Sequence, residues 1–197
     1  MNYTKEDKEK NVKEMLKMIG ENPDREGLKD TPKRVVKMWE ELFRGYDEKQ
    51  KPKVTVFKNG YDGILVDQMI SDTGNFYSNC EHHGLPFIGK YWFAYIPNTK
   101  GKILGLSKVA RVVNFHSAKL QVQERLVKNI LDNLYNALVD NSIGPVGMGL
   151  VLEAEHLCKT MRGVKKKGMM RTVELIGQFK DDITVKTEFL DWVNTTK

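Results

Sequence analysis

The stretch Val146-Gly147-Met148-Gly149-Leu150-Val151-Leu152-Glu153-Ala154-Glu155-His156-Leu157-Cys158 decides how the chain folds. Its β-rich composition predicts a strand over residues 146–155. Side chains alternate along a strand with period two. Leu150, Leu152 and Ala154 then share one face, continued by His156 and Cys158 if the strand persists, and Glu153 and Glu155 take the other. A buried strand would thus deliver a histidine and a cysteine at its end. Cys80-Glu81-His82-His83 is the upstream counterpart, and the two stretches hold both cysteines and three of the four histidines.

Cys80-x-x-His83 is a spacing that lets two side chains bind one metal ion, and Cys158 can supply a third ligand. Three protein ligands leave one tetrahedral position open on zinc, as in a catalytic site. His82 and His156 remain beside such a metal, where imidazole can move protons near neutral pH. Three other readings stay open from spacing alone: a structural zinc with His82 or His116 as fourth ligand, no metal, and a Cys80–Cys158 disulfide. His116 has no partner in sequence and reads as a surface or satisfied histidine.

Working outward, residues 120–140 predict a long helix, with Leu126, Ile130, Leu134 and Leu138 repeating at four and Val127, Leu131 and Tyr135 widening the stripe. A shorter helix starts at Gly105-Leu106-Ser107-Lys108, with Ser107 a candidate N-cap. Lys90-Tyr91-Trp92-Phe93-Ala94-Tyr95-Ile96 is an aromatic-rich strand stopped by Pro97. Residues 75–80 read as a short strand leading into the metal motif. Residues 54–57 and 64–66 are further short strands around the turn at 59–63. Residues 172–179 form the last strand, and 185–193 a terminal helix. At the other end, residues 4–20 form an amphipathic helix with Val12, Leu16 and Ile19 on one side. Thr31-Pro32 opens a second, with threonine as cap and Val35, Met38, Trp39, Leu42 and Phe43 as its core stripe. Strands flanking a helical insertion imply an α+β fold with a mainly antiparallel sheet. Residues 1–50 read as an N-terminal helical region and 51–197 as the catalytic domain.

With 40% hydrophobic and 29% charged residues, the chain of 197 residues is an ordinary globular composition that can build a core without disulfides. No apolar run approaches the roughly 20 residues that span a membrane, and the polar N-terminus lacks a signal-peptide core. A cytoplasmic location follows as an expectation, with both cysteines reduced. The net charge of +6 is spread among acids, except for the cluster from Arg162 to Arg171 with Lys165, Lys166 and Lys167. A basic cluster beside a metal site suits a phosphorylated small substrate better than a nucleic-acid duplex, and no nucleic-acid partner is expected.

Several motifs in order make the chain similar to the GTP cyclohydrolase I family: Asp24-Arg25-Glu26-Gly27-Leu28, Thr31-Pro32-x-Arg34-Val35, Cys80-Glu81-His82-His83, Ala94-Tyr95-Ile96-Pro97, Gly105-Leu106-Ser107-Lys108-Val109-Ala110-Arg111, Leu120-Gln121-Val122-Gln123-Glu124-Arg125-Leu126, and Glu153-Ala154-Glu155-His156-Leu157-Cys158 with Met161-Arg162-Gly163. The resemblance spans residues 12–193. It implies zinc-dependent hydrolysis of GTP at C8, release of formate and rearrangement to 7,8-dihydroneopterin triphosphate. It also implies the tunnelling fold, a four-stranded antiparallel sheet with two helices inserted between strands 2 and 3, and assembly as a decamer with active sites at subunit boundaries. A paralogue on the same scaffold that acts on another purine nucleotide without completing the pterin is the alternative reading.

Carried over residue by residue, the resemblance makes Cys80, His83 and Cys158 the zinc ligands. His156 would protonate guanine N7, His82 would assist proton transfer, and Ser107 would act at the opening ribose. Glu124 would hold the guanine N1–H and 2-amino group, with Gln123 beside it. Lys108, Arg111 and Arg162 would bind the triphosphate, joined by Arg34 from a neighbouring subunit. The chain departs from the family pattern at Gly84, in the longer 67–75 segment, at residues 116–119 and in the 164–171 stretch.

Overall fold

The computed structural model describes residues 3–196. Two N-terminal helices, α1 (Lys5–Met18) and α2 (Thr31–Leu42), pack on each other. Thr4 caps α1 in a reciprocal capping box with Asp7. Asp30, rather than Thr31, precedes α2, and no side chain caps it. The buried residues of α2 are Pro32 and Val36, whereas Met38 and Trp39 are exposed, so the expected core stripe is rotated. The helix packs mainly on α1 and has no core behind its other face.

The main sheet has the order β5-β2-β3-β6-β7: β2 (Ile70–Cys80), β3 (Pro86–Ile96), β5 (Leu120–Gln121), β6 (Gly147–His156) and β7 (Met169–Gly177). β2, β3, β6 and β7 form the expected antiparallel four, and β5 adds a short parallel pairing at Asn79 and Cys80. Between β3 and β6 lie α3 (Lys108–Ser117) and α4 (Gln123–Leu138), the expected helical insertion. The predicted 120–140 helix is therefore shorter, because Leu120 and Gln121 are spent on β5. The predicted 75–80 strand is the end of a longer one that begins at Ile70.

Residues 54–57 contribute only to β1 (Val56–Lys58), paired with β4 (Lys102–Leu104) outside the main sheet. Residues 64–66 are not a strand. The Asn59 side chain accepts from Val66 N–H and donates to Val66 and Asn98 carbonyls, closing the segment into a loop. After β6 comes a single turn, α5 (Leu157–Thr160), and after β7 the short α6 (Gln178–Asp181) and the terminal α7 (Ile183–Thr195). Phe179 thus belongs to α6 rather than to the last strand.

The sheet carries a core on each face. One joins Phe76, Phe87, Leu150, Leu152 and Ala154 to Leu126, Ile130, Leu131 and Leu134 of α4. The other joins Trp92, Ala94 and Val151 to Phe179, Phe189 and Val193 of α6 and α7. Period two along β6 separates Leu150 and Leu152 from Val151, as the sequence predicts. Each fully buried Leu or Phe stabilises the fold by about 1.5–3 kcal/mol. Among the described residues, no helix is long and apolar enough to cross a membrane.

Candidate metal centre and its split surroundings

Register alone brings the two cysteines together. Asn79 pairs with Pro86 and Phe87 with His156, so the ends of β2 and β6 and the start of β3 meet at one edge of the sheet. The β2–β3 turn carries His83 back over that edge. Gly84 N–H donates to the Cys80 carbonyl at 2.8 Å, and the Asn79 side chain donates to the Gly84 carbonyl at 3.1 Å. Gly84 has φ +65°, a left-handed backbone that favours glycine.

Cys80, His83 and Cys158 place their donor atoms within 4.8 Å of one another. Cys80 Sγ lies 4.0 Å from His83 Nδ1 and 3.7 Å from His82 Nδ1. Both cysteines are free, which removes the disulfide reading. Two sulfurs and an imidazole form a group that could hold a metal ion, and the donor chemistry suits zinc. Burial first, and Cys80 second, hold the Cys158 thiol above its ordinary value, so metal uptake at neutral pH releases a proton.

His156 is set by its surroundings. Its ring stacks on Phe87 with centroids 4.5 Å apart and planes within 2°. Its Nε2 lies 2.8 Å from Gln123 Oε1. Gln123 Nε2 points to the Leu152 and Met170 carbonyls, both at 3.0 Å, and to Thr172 Oγ1 at 3.2 Å, so its amide orientation follows from the network. An amide oxygen only accepts, hence His156 Nε2 carries the hydrogen and Nδ1 is the free nitrogen. Burial pushes the imidazole below its ordinary value, while the charge of Glu124 acts in the opposite direction. Glu124 stands exposed in the first turn of α4, where the helix dipole favours a carboxylate. Gln123 is 1% exposed and its amide is already engaged within the chain.

Sequence reasoning missed a second layer. Arg125 donates to Gln121 Oε1 at 3.0 Å, to the Leu120 carbonyl at 3.1 Å and to the Glu81 carboxylate inside the metal motif. Gln121 in turn donates to the His116 carbonyl at 2.9 Å. Gln121 lies in β5 and Arg125 in the first turn of α4, so no helical spacing in the sequence announces the pair. Arg162 Nη1 lies 2.6 Å from His83 Nε2, beside the metal group as its motif suggested.

The remaining candidates are not at this edge. Leu104 N–H donates to Tyr95 Oη at 3.0 Å, and Tyr95 pairs with Ile70 at the start of β2. That is about 30 Å along the strand from Cys80 at ~3.3 Å per residue. Ser107 and Lys108 follow directly, at the far end of the sheet. Ser107 occupies the N-cap position without a side-chain cap bond. Arg111 lies one turn further along α3, exposed. Arg34 is exposed on α2, 4.0 Å from Asp30. His116 is neither on the surface nor satisfied: it is 9% exposed and both ring nitrogens lack a partner.

Comparison with known proteins now decides the lineage. The model of the GTP cyclohydrolase I family matches residues 8–194. The chain belongs to the GTP cyclohydrolase I family. The GTP cyclohydrolase 1 of Caldanaerobacter subterraneus subsp. tengcongensis is 44% identical over 194 residues, covering 98% of each chain. That of Streptococcus agalactiae serotype Ia is 44% identical over 188 residues, covering 94% of this chain and 95% of its own. That of Bacillus pumilus is 44% identical over 184 residues, covering 92% of each. The apo form of the archaeosine synthase QueF-Like resembles 55% of this chain and 93% of its own at a TM-score of 0.43 and 14% identity, which adds nothing to the assignment. The family and the α+β architecture implied by the motifs both hold.

Proposed function

We propose that the chain catalyses the family reaction, hydrolysis of GTP at C8 with loss of formate and closure to 7,8-dihydroneopterin triphosphate. The observation that supports it best is the convergence of Cys80, His83 and Cys158 within 4.8 Å, flanked by His82, His156 and Glu124. Cys80, His83 and Cys158 would hold the zinc ion, which would supply Lewis acidity for activating water. The chain's own groups do the rest. Glu124 accepts from the guanine N1–H and 2-amino group through its two carboxylate oxygens. His156, held by Gln123 at Nε2, acts in its imidazolium form: it passes the Nδ1 proton to guanine N7 and is left as the neutral Nε2–H tautomer that Gln123 holds. His82 serves the later proton transfers of ring opening and formate loss. Gln123 acts by orienting His156 rather than by touching the base.

Ser107, Lys108 and Arg111 belong to the same reaction only if another copy of the chain brings them to the metal edge. Two features favour a homo-oligomer, read from the family as a decamer. The site residues are divided between opposite ends of one sheet. Both outer strands also keep long unpaired edges among the described residues: β2 except at Asn79 and Cys80, and all of β7. Such edges invite pairing with a neighbouring chain.

The test is to incubate zinc-loaded protein with GTP and measure formate together with the fluorescence of oxidised neopterin. Both signals, removed by chelation, are expected. Formate without neopterin would point to a paralogue that stops after ring opening. Neither signal from zinc-loaded protein would overturn the proposed reaction.

A further inference from the structure

His156 is held from two directions by groups that the sequence scatters over β3, α4, β6 and β7. The first is the flat face of Phe87, parallel to the imidazole within 2° at 4.5 Å between centroids. Phe87 and His156 are register partners in β3 and β6, which sets the stack. Phe87 is fully buried and is braced edge-on by Phe76 at 6.0 Å. A flip of the imidazole about its Cβ–Cγ bond would exchange Nδ1 with a ring carbon. To flip, the ring must first stand edge-on to Phe87, and close packing there resists that motion.

The second direction lies in the plane of the ring, where Gln123 Oε1 stands 2.8 Å from Nε2. The groups that keep the amide oxygen there lie around the amide nitrogen. Gln123 Nε2 is 3.0 Å from the Leu152 carbonyl, 3.0 Å from the Met170 carbonyl and 3.2 Å from Thr172 Oγ1. Carbonyls only accept, so an inverted amide would set its oxygen against two other oxygens. β7 supplies two of the three acceptors, because Met170 pairs with Ala154 and Thr172 with Leu152 on the sheet beneath α4. Thr172 is the only side chain among the three.

The amide orientation decides which nitrogen releases a proton. An imidazolium carries a hydrogen on each nitrogen. Gln123 Oε1 accepts from Nε2–H before and after the transfer, so Nδ1 is the position that lets go. An inverted amide would donate to Nε2 and leave the hydrogen on Nδ1. The labile position would then face the buried amide.

We propose that Thr172 and Phe87 are positioning residues for this proton transfer, Thr172 by holding the Gln123 amide in the orientation that accepts from His156, and Phe87 by holding the plane of the imidazole. The outer strand β7 thereby takes part in the chemistry while contributing no residue to the metal group. The proposal rests on the reading of His156 as the proton donor to guanine N7.

The experiment uses the full chain, zinc-loaded. Thr172→Val keeps the shape and removes the acceptor, whereas Thr172→Ser keeps the hydroxyl. Thr172→Val should lower kcat about fivefold, the size of one lost hydrogen bond, with KM for GTP and zinc content unchanged. Thr172→Ser should recover most of the rate. A merely structural role predicts the reverse order, since valine suits a strand better than serine. In a Gln123→Ala background Thr172→Val should change kcat no further, because Thr172 acts through that amide. Phe87→Leu should lower kcat about threefold to tenfold by loss of the aromatic stack. Should that variant fail to fold, the Thr172 pair decides alone.

A second readout needs no turnover. The chain has four histidines, so 15N spectra of histidine-labelled protein resolve the rings, and His156→Asn assigns the signal that disappears. Wild type should show the Nε2–H tautomer alone, and Thr172→Val a mixture of both. Unchanged kcat with an unchanged tautomer in Thr172→Val and Phe87→Leu would overturn the positioning roles. A single tautomer in wild type that Thr172→Val loosens, without any neopterin formed, would overturn the proposed reaction and leave the clamp on His156 standing.

Discussion

The metal edge and the α3 region are built by different means. At the metal edge, strand register sets Cys80 beside Cys158, and buried hydrogen bonds from Gln123 hold His156. One chain completes that half alone. Ser107 and Lys108 stand at the start of α3, near the Tyr95 end of β3, and Arg111 is exposed one turn further along that helix. The difference teaches that the fold prearranges the metal group but not the α3 candidates, and in the proposed function these are two half-sites that assembly would join. Cys158→Ser and Arg111→Ala should each strongly impair the enzyme, the first to background with loss of zinc. Co-assembled in equal amounts, the two inactive variants should recover activity, since about a quarter of randomly mixed sites join an intact half of each kind. Failure to recover any activity in verified mixed oligomers would mean that both halves act within one chain.

A smaller effect tests how far the prearranged half depends on its supports. Arg125 binds Glu81 of the metal motif, Gln121 of β5 and the Leu120 carbonyl at once. Partners that orient metal ligands commonly contribute 10–100-fold to metal affinity. Arg125→Ala should therefore weaken zinc binding by about that factor while the fold persists, and a zinc-competition titration with a chromogenic chelator reads it directly. Zinc affinity equal to wild type would show that the β2–β3 turn holds its shape from the backbone alone. Arg125→Lys should fall between the two, because an ammonium cannot serve three acceptors with the geometry of a planar fork.

These contrasts also mark what the sequence could tell. Period two along β6 correctly separated Leu150, Leu152 and Ala154 from Glu153 and Glu155, and the four-residue repeat of Leu126, Ile130 and Leu134 found α4. Both signals arise from burial against a single large core, which sequence patterns record well. Met38 and Trp39 were misread because an apolar stripe is the same in sequence whether or not an element lies behind it. Residues 64–66 were misread because the Asn59 amide, five or more positions away, satisfies the backbone that a strand partner would otherwise have served. The ligand trio was visible as cysteine–histidine spacing. Gln121, Arg125 and Phe87 were not, since their roles depend on side-chain directions across three separate strands and a helix start.

His116 gives the smallest and most specific contrast, a buried imidazole that belongs to neither half-site. Phe115 packs against it edge-on at 5.4 Å, and both ring nitrogens lack partners. Burial, then the charges of Lys119 and Lys51, push its pKa down to about 4, with Glu48 opposing them. An unfolded histidine titrates near 6.5, so between these values the unfolded chain takes up a proton that the folded chain refuses. Stability from this residue is complete above about pH 6.5 and falls as the pH drops toward 4. The loss should reach about 1–2 kcal/mol after allowance for solvent screening. His116→Leu removes the titration and the unpaired nitrogens together. Urea unfolding of wild type and variant at a series of pH values from 7 to 4 should show the difference shrinking the wild type's advantage, or widening the variant's, as the pH falls. A constant difference across that range would mean that the imidazole finds a proton partner in the folded chain, such as Glu48, whose charge already opposes the shift.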